Sequence, residues 1–272
     1  MNTTDHNLNT NNALAGQVAL VTGGAKRVGK AIALTLAQQG MDIAFTYNTS
    51  EAKAAETLAE IEQLGRQALA IQIDFELPNA TEAVHNAFTK RFDRCDALIN
   101  NASSFEQTPL LELTQDSFDK QMAINARSPV MLMQAFAPML KANAILDETN
   151  EPAYRGSTKH LGRIVNFVDI HVMGQPLRGF MAYNMAKAAL MEATMTAALE
   201  LAPFVTVNGI APGVVSWADS YTEPQRERYM QRVPLGRPGT PDDAAAAVLY
   251  LVRDADYCTG QIIRLDGGRL WT

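Results

Sequence analysis

The sequence predicts a single α/β domain, doubly wound, of about seven parallel strands with helices on both faces. Three observations carry that reading. Short apolar runs alternate with longer amphipathic stretches along nearly the whole chain, the pattern of strands joined by helical crossovers. Such crossovers are right-handed and produce a parallel sheet covered on both faces. No repeat, low-complexity linker or shift in composition marks a second domain. The first apolar run leads directly into a glycine-rich turn, "TGGAKRVG" at Thr22 to Gly29, and then into a second apolar stretch, so strand, turn and helix follow in order.

Strands are expected at residues 18–21, 42–47, 68–73, 97–100, 163–168, 205–210 and 261–265, each a short apolar run. The helix after the glycine-rich turn contains Ile32 to Ala37, and amphipathic periodicity predicts further helices at 50–64, 80–92, 117–140, 182–201 and 241–252. Two segments fall outside the alternation. Residues 143–161 are polar and read as an insertion; residues 213–237 carry Trp217, Tyr221 and Tyr229 and follow a strand end, where a lid over a ligand site would lie.

Composition narrows the classes. The 272 residues are 47% hydrophobic and 19% charged, ordinary for a globular protein. A net charge of −6 offers no basic surface for a phosphate backbone, which argues against nucleic acid as a partner. Two cysteines, Cys95 and Cys258, make neither a disulfide framework nor a metal-ligand cluster and read as buried thiols in a reducing compartment. No run is apolar for long enough to span a membrane, and the Asn- and Thr-rich start lacks the layout of a signal peptide. Residues 1–15 are expected to form a disordered tail, residues 16–272 the folded domain, and the location to be cytoplasmic.

The glycine-rich turn sits where backbone N–H groups at a helix N-terminus attract a pyrophosphate. Its oddity is Arg27, a bulky cation among small residues. Tyr183 and Lys187, in "AYNMAKAAL", share one helix face at i and i+4. An ammonium near a phenol favours the phenolate and brings proton transfer toward neutral pH. That spacing is also common on plain solvated helices, so its position matters more. In order around it stand the Thr22 turn, "NNAS" at Asn100 to Ser103, Asn125, and "APG" at Ala211 to Gly213.

With these motifs the chain resembles the short-chain dehydrogenase/reductases, from about Gly16 to "DGG" at Asp266 to Gly268. Within them it is most similar to the pteridine reductases, through "TGGAKRVG", "NNASSFEQTPL", "VNFVDIH", "QPLRGFMAYNMAKAAL" and "ALELAP". Ordinary members have glycine where Arg27 stands, "NNAG" where Ser103 stands, and serine where Asp169 stands; the pteridine reductases share all three departures. The resemblance implies a Rossmann-type fold and a homotetramer with Asp169, Tyr183, Lys187 and Asn125 as catalytic residues. It implies cofactor contacts from Thr22, Gly23, Arg27, Val28, Gly29, Tyr47, Asn48, Ser50, Asp74, Asn101, Ala102, Ser103, Lys187, Pro212 and Gly213. Substrate contacts would come from Arg27, Ser103, Phe105, Asp169, Tyr183 and Trp217, with no metal.

NADPH is the expected cofactor, since the second strand ends in "TYNTS" with no acid before Glu51, and a carboxylate there is what favours NAD. The expected reaction is reduction of 7,8-dihydropterins, with dihydrofolate and oxidised pterins as further substrates. Alternatives are a carbonyl reductase acting on 3-oxoacyl thioesters and a catalytically silent NADP(H)-sensing module. Single residues also keep two readings. Arg27 either grips phosphate and pterin together or caps the first helix. Phe105 either stacks on the pterin or fills core; Asp74 bonds adenine or caps a helix; Asp169 handles a proton or caps the following turn. His171 lies in the pocket or at the surface, and Trp217 is a lid aromatic or an oligomer contact. The methionines read as core filling.

Overall fold

A computed structural model describes residues 13–142, 161–217 and 221–272. Strands β1 (Val18–Val21), β2 (Asp42–Tyr47), β3 (Ala68–Gln72), β4 (Ala97–Asn100), β5 (Gly162–Phe167), β6 (Val205–Pro212) and β7 (Ile262–Leu265) form one parallel sheet. Their order is β3-β2-β1-β4-β5-β6-β7. The helices are α1 (Arg27–Gln38), α2 (Glu51–Gln63), α3 (Ala80–Thr89), α4 (Gln115–Met122), α5 (Ser128–Ala142), α6 (Met181–Leu201), α7 (Glu223–Met230) and α8 (Pro241–Arg253).

The two-residue period of the strands decides which face each side chain supplies. Ala19, Val21, Ile43, Phe45, Ile99 and Val165 meet Ile32 and Leu36 of α1, Ile61 of α2 and Val248 of α8 in one core. The alternate residues Val18, Leu20, Ala44, Leu98, Ile164 and Val207 meet Val84 and Phe88 of α3, Phe136 of α5 and Ala198 of α6 in the other. With both faces covered, the strands read as continuous apolar runs.

Strand order reverses direction between β1 and β4, and a crevice opens there at the carboxyl ends of the strands. One side chain pins its two walls. Buried Thr22 accepts hydrogen bonds at Oγ1 from the Asn101 and Ala102 N–H groups, both at 2.9 Å, and Asn101 Nδ2 donates to the Thr22 carbonyl at 2.8 Å.

Element limits differ from the sequence expectation by a few residues at most, with three substantive differences. The helix expected at 117–140 is interrupted by a π-turn at Ala123–Arg127. Pro129 has no N–H to return to the Asn125 carbonyl, so the ladder widens there. Helix α7 was not expected, because it is polar all round and buries no residue; a capping box of Thr222 and Gln225 and Pro224 in its first turn define it. Leu14, assigned to the tail, is buried in the core and donates its N–H to the Gln39 carbonyl. The rest of the expected tail, 1–12, and the insertion at 143–160 lie outside the described residues. Cys95 is fully buried as expected, whereas Cys258 is only partly so. Among the described residues, no helix is long and apolar enough to cross a membrane.

Gly29, in the first turn of α1, faces the Gly23 carbonyl so closely that a Cβ would lie 2.1 Å from its oxygen and 2.7 Å from Asn101 Nδ2. Gly29→Ala is therefore expected to lower the unfolding free energy by about 2 kcal/mol or more in a urea titration. An unchanged midpoint would show that the turn can shift without cost.

Candidate active site

A cavity of about 490 Å³ opens at the carboxyl ends of β1, β2, β4, β5 and β6. At one end it is lined by the turn residues Gly23, Arg27, Val28 and Gly29 and by Tyr47, Asn48 and Ser50 after β2. Asp74, Asn101, Ala102, Pro212 and Gly213 complete that end. Thr22 stands behind this wall as the clamp described above. Lys26, which the sequence reading passed over, lines the cavity beside Arg27 and supplies a second cation. No acid lies between the end of β2 and Glu51, the first residue of α2. Asp74 also accepts the Glu76 N–H at 2.9 Å, so it has a local turn-capping role as well as a cavity position.

Arg27 has φ of +51°, the one described non-glycine residue in the left-handed region. That conformation costs a side-chain-bearing residue about 1 kcal/mol relative to glycine, and a strained position kept by a functional residue is a pointer to a site. It also accounts physically for the glycine expected there in ordinary relatives.

At the other end the cavity is lined by Ser103, Phe105, Asp169, Tyr183, His171, Tyr221 and Tyr229. Asp169, just past β5, uses its two oxygens separately. Oδ1 accepts the His171 N–H at 2.8 Å and caps the 3-10 turn Ile170–Met173; Oδ2 accepts the Tyr183 hydroxyl at 2.7 Å. The capping reading of Asp169 is thus seen, and the same carboxylate also meets the Tyr183 hydroxyl. Phe105 is half-buried, stacked on Phe180 at 4.5 Å between centroids and set edge-on to Tyr183 at 5.0 Å. Phe180, the residue before α6, was missed because nothing in the local sequence pairs it with Phe105. A parallel bridge between Thr108 and Phe180 brings the two segments together.

The electrostatics correct one expectation. The Tyr183 phenol is pushed well above its ordinary value, first by burial and then by the Asp169 carboxylate, with Ser103 opposing. Lys187 does not reverse this. Its Nζ lies 5.9 Å from the Tyr183 ring centroid and donates to the Phe167 carbonyl at 2.7 Å, while burial lowers it to about 8 against the pull of Asp169. The phenol therefore keeps its proton rather than standing as a phenolate.

Asn125 sits on the π-turn, wholly buried behind the cavity. Its Oδ1 accepts from Ser103 Oγ at 2.7 Å, and its Nδ2 donates to the Ser104 carbonyl and to Gln121. Among the described residues it makes no direct bond to Lys187, and its bonds hold the Ser103–Ser104 backbone and hydroxyl. Trp217 does not line the cavity. It packs against Tyr221 at 5.4 Å and Tyr229 at 5.5 Å, and these two phenols take the wall position expected of it.

Residues 23–269 match the family model described as enoyl-(acyl carrier protein) reductase, which spans the turn, the Asp169–Tyr183 pair and the C-terminal glycines. The chain belongs to the short-chain dehydrogenase/reductase superfamily. It is an oxidoreductase of that superfamily, whose members use NAD(H) or NADP(H). It is 33% identical over 261 residues to a 3-oxoacyl-[acyl-carrier-protein] reductase of Synechocystis, covering 94% of this chain and 98% of that one. It is 35% identical over 280 residues to pteridine reductase 1 of Leishmania tarentolae, covering 92% and 95%. A solved short-chain alcohol dehydrogenase, titled putative, from Sinorhizobium meliloti superposes with a TM-score of 0.83 at 29% identity, covering 95% of this chain and 98% of that one.

Two outcomes are expected here. Arg27→Gly should raise the unfolding free energy by about 1 kcal/mol while weakening binding of the nicotinamide cofactor. A variant that loses both stability and binding would mark the arginine as a helix cap instead. For Lys187, the folded value near 8 lies below the ordinary 10.5. The unfolded chain then holds a proton that the folded chain has released, so stability rises as pH climbs through about 8 toward about 10. Below about pH 8 both states are protonated and the cost of the buried charge is present in full. Urea unfolding of wild type against Lys187→Met between about pH 7 and 9.5 should show this slope only in wild type; parallel profiles would contradict it.

Proposed function

We propose that the protein is an NADPH-dependent pteridine reductase that converts 7,8-dihydropterins to tetrahydropterins, with dihydrofolate and oxidised pterins as further substrates. The observation that carries this reading is the Tyr183 hydroxyl donating to Asp169 Oδ2 at 2.7 Å. Reduction of a ring C=N adds a hydride at carbon and a proton at nitrogen, and NADPH, when bound, supplies the hydride. Tyr183, held protonated by burial and by Asp169, is suited to give the proton, and the carboxylate of Asp169 to pass a replacement proton from solvent back to it. Phe105, backed by Phe180, offers a flat aromatic wall for a flat heterocycle. NADPH over NADH is supported by the absence of an acid at the end of β2 and by Lys26 and Arg27 on the cavity wall. The likeness to the Leishmania pteridine reductase supports the same assignment.

A second reading, reduction of 3-oxoacyl thioesters, is favoured by the likeness to the Synechocystis enzyme and by the description of the matching family. It calls for a neutral hydroxyl beside the tyrosine to polarise a carbonyl, where this chain has the carboxyl group of Asp169. The assembly proposed is a homotetramer in the cytoplasm, and light scattering would give its mass.

The deciding measurement is steady-state NADPH oxidation with dihydrobiopterin, dihydromonapterin, dihydrofolate and an acetoacetyl thioester, repeated with NADH. Turnover of the pterins with a kcat/KM at least about tenfold higher for NADPH is expected. Turnover of the thioester alone would establish the second reading, and equal use of NADH would refute the cofactor assignment. Asp169→Ser should lower kcat on dihydropterins by about a hundredfold or more and leave the Kd for NADPH unchanged. An unaltered kcat would remove Asp169 from the chemistry.

A further inference from the structure

We propose that His171 is a specificity-determining residue, accepting a hydrogen bond from a hydroxyl on the side chain that the reacting carbon of the substrate carries. The inference rests on the pteridine reductase reading and deepens it. His171 lines the cavity, and its Nδ1 lies 2.8 Å from the Gln175 carbonyl oxygen. A carbonyl only accepts, so the proton of the neutral ring is on Nδ1 and Nε2 is left with its lone pair. Among the described residues Nε2 has no hydrogen-bond partner.

The imidazole is held from both ends. Its backbone N–H is bonded to Asp169 Oδ1, and the Gln175 carbonyl that fixes its ring is itself fixed. Gly174, at φ of +121°, lets the chain turn back so that this carbonyl reaches the ring. The Gln175 side chain donates to the Leu270 carbonyl at 2.6 Å and accepts from Arg269 at 3.0 Å and Arg232 at 3.2 Å. A preorganised acceptor of this kind loses little entropy on meeting its donor.

Position relates it to the chemistry. One Asp169 oxygen accepts the Tyr183 hydroxyl and the other the His171 backbone N–H, so the two residues are anchored on a single carboxylate, and both line the same end of the cavity. With Tyr183 protonating the nitrogen of the C=N bond, the adjacent carbon receives the hydride. In 6-substituted 7,8-dihydropterins that carbon bears the side chain, which is thereby directed to the part of the wall next to Tyr183.

The test compares kcat/KM for 7,8-dihydrobiopterin, whose side chain carries hydroxyls, with that for 6-methyl-7,8-dihydropterin, whose side chain carries none. His171→Leu should lose about tenfold on the first, through KM, and nothing on the second, the size of one hydrogen bond to a partly buried acceptor. His171→Gln, whose amide oxygen can stand in for Nε2, should recover most of that loss. The melting temperature and the Kd for NADPH report whether each variant folds; if His171→Leu does not, His171→Gln and His171→Asn carry the comparison, the shorter amide losing discrimination. Equal losses on both substrates, or none on either, overturn the inference while leaving the pteridine reductase reading intact. Wild-type protein that turns over neither pterin overturns that reading and this inference with it.

Discussion

The site depends on a clamp at the switch point of the sheet. Thr22 follows β1 and Asn101 follows β4, two strands that are neighbours in space and far apart in sequence. The Thr22 hydroxyl takes two N–H groups from the β4 loop, and the Asn101 amide returns a bond to the Thr22 carbonyl. A buried hydroxyl with two charge-free donors on it has little freedom to move, and each partner left unpaired would carry a full desolvation cost. The crevice between turn and loop therefore has fixed walls. Gly29 and the Gly23 carbonyl pack against that same amide, so the glycine-rich turn and the loop bearing Ser103 and Phe105 are tied together.

From that unit the substrate end is built by a second group with divided duties. Asp169 serves backbone and phenol through different oxygens. Capping the 3-10 turn orients the carboxylate, and the oriented carboxylate in turn holds the Tyr183 proton. The lysine one helical turn on contributes less to the phenol than its spacing suggests. One of its three N–H groups goes to the Phe167 carbonyl, and burial has already loosened its own proton. Asn125 likewise works from behind, through Ser103 and Ser104, on a widened helical turn that no residue-by-residue helix count would anticipate.

Much of this was legible in the sequence, for identifiable reasons. Apolar runs and amphipathic periodicity located the strands to within a few residues because both sheet faces are covered. The cavity residues after β1, β2 and β4 were legible because strand ends carry short, recognisable turns. What escaped depends on tertiary pairing or on a lack of apolar pattern. Phe180 has no local signature that ties it to Phe105. Helix α7 buries nothing and so has no periodicity to detect. Trp217 was credited with a wall position that Tyr221 and Tyr229 occupy, since sequence alone gives the aromatic cluster without its orientation. The resemblance already set the Asp169 carboxyl group beside the phenol; the raised Tyr183 value escaped because the burial of Tyr183 and the bond of Lys187 to the Phe167 carbonyl are tertiary facts that the four-residue spacing does not carry.

The strand order has a consequence for synthesis on the ribosome. β1 emerges first of the strands and lies inside the sheet, where Leu20 pairs with Ala44 on one side and Leu98 on the other. The first pairing can form early, within the leading β-α-β unit. The second waits until β4 has left the exit tunnel, so a growing chain shorter than about that length presents an apolar strand with one open edge. A crevice at the switch point thus goes with a nascent half-sheet whose β1 edge stays open until β4 has emerged.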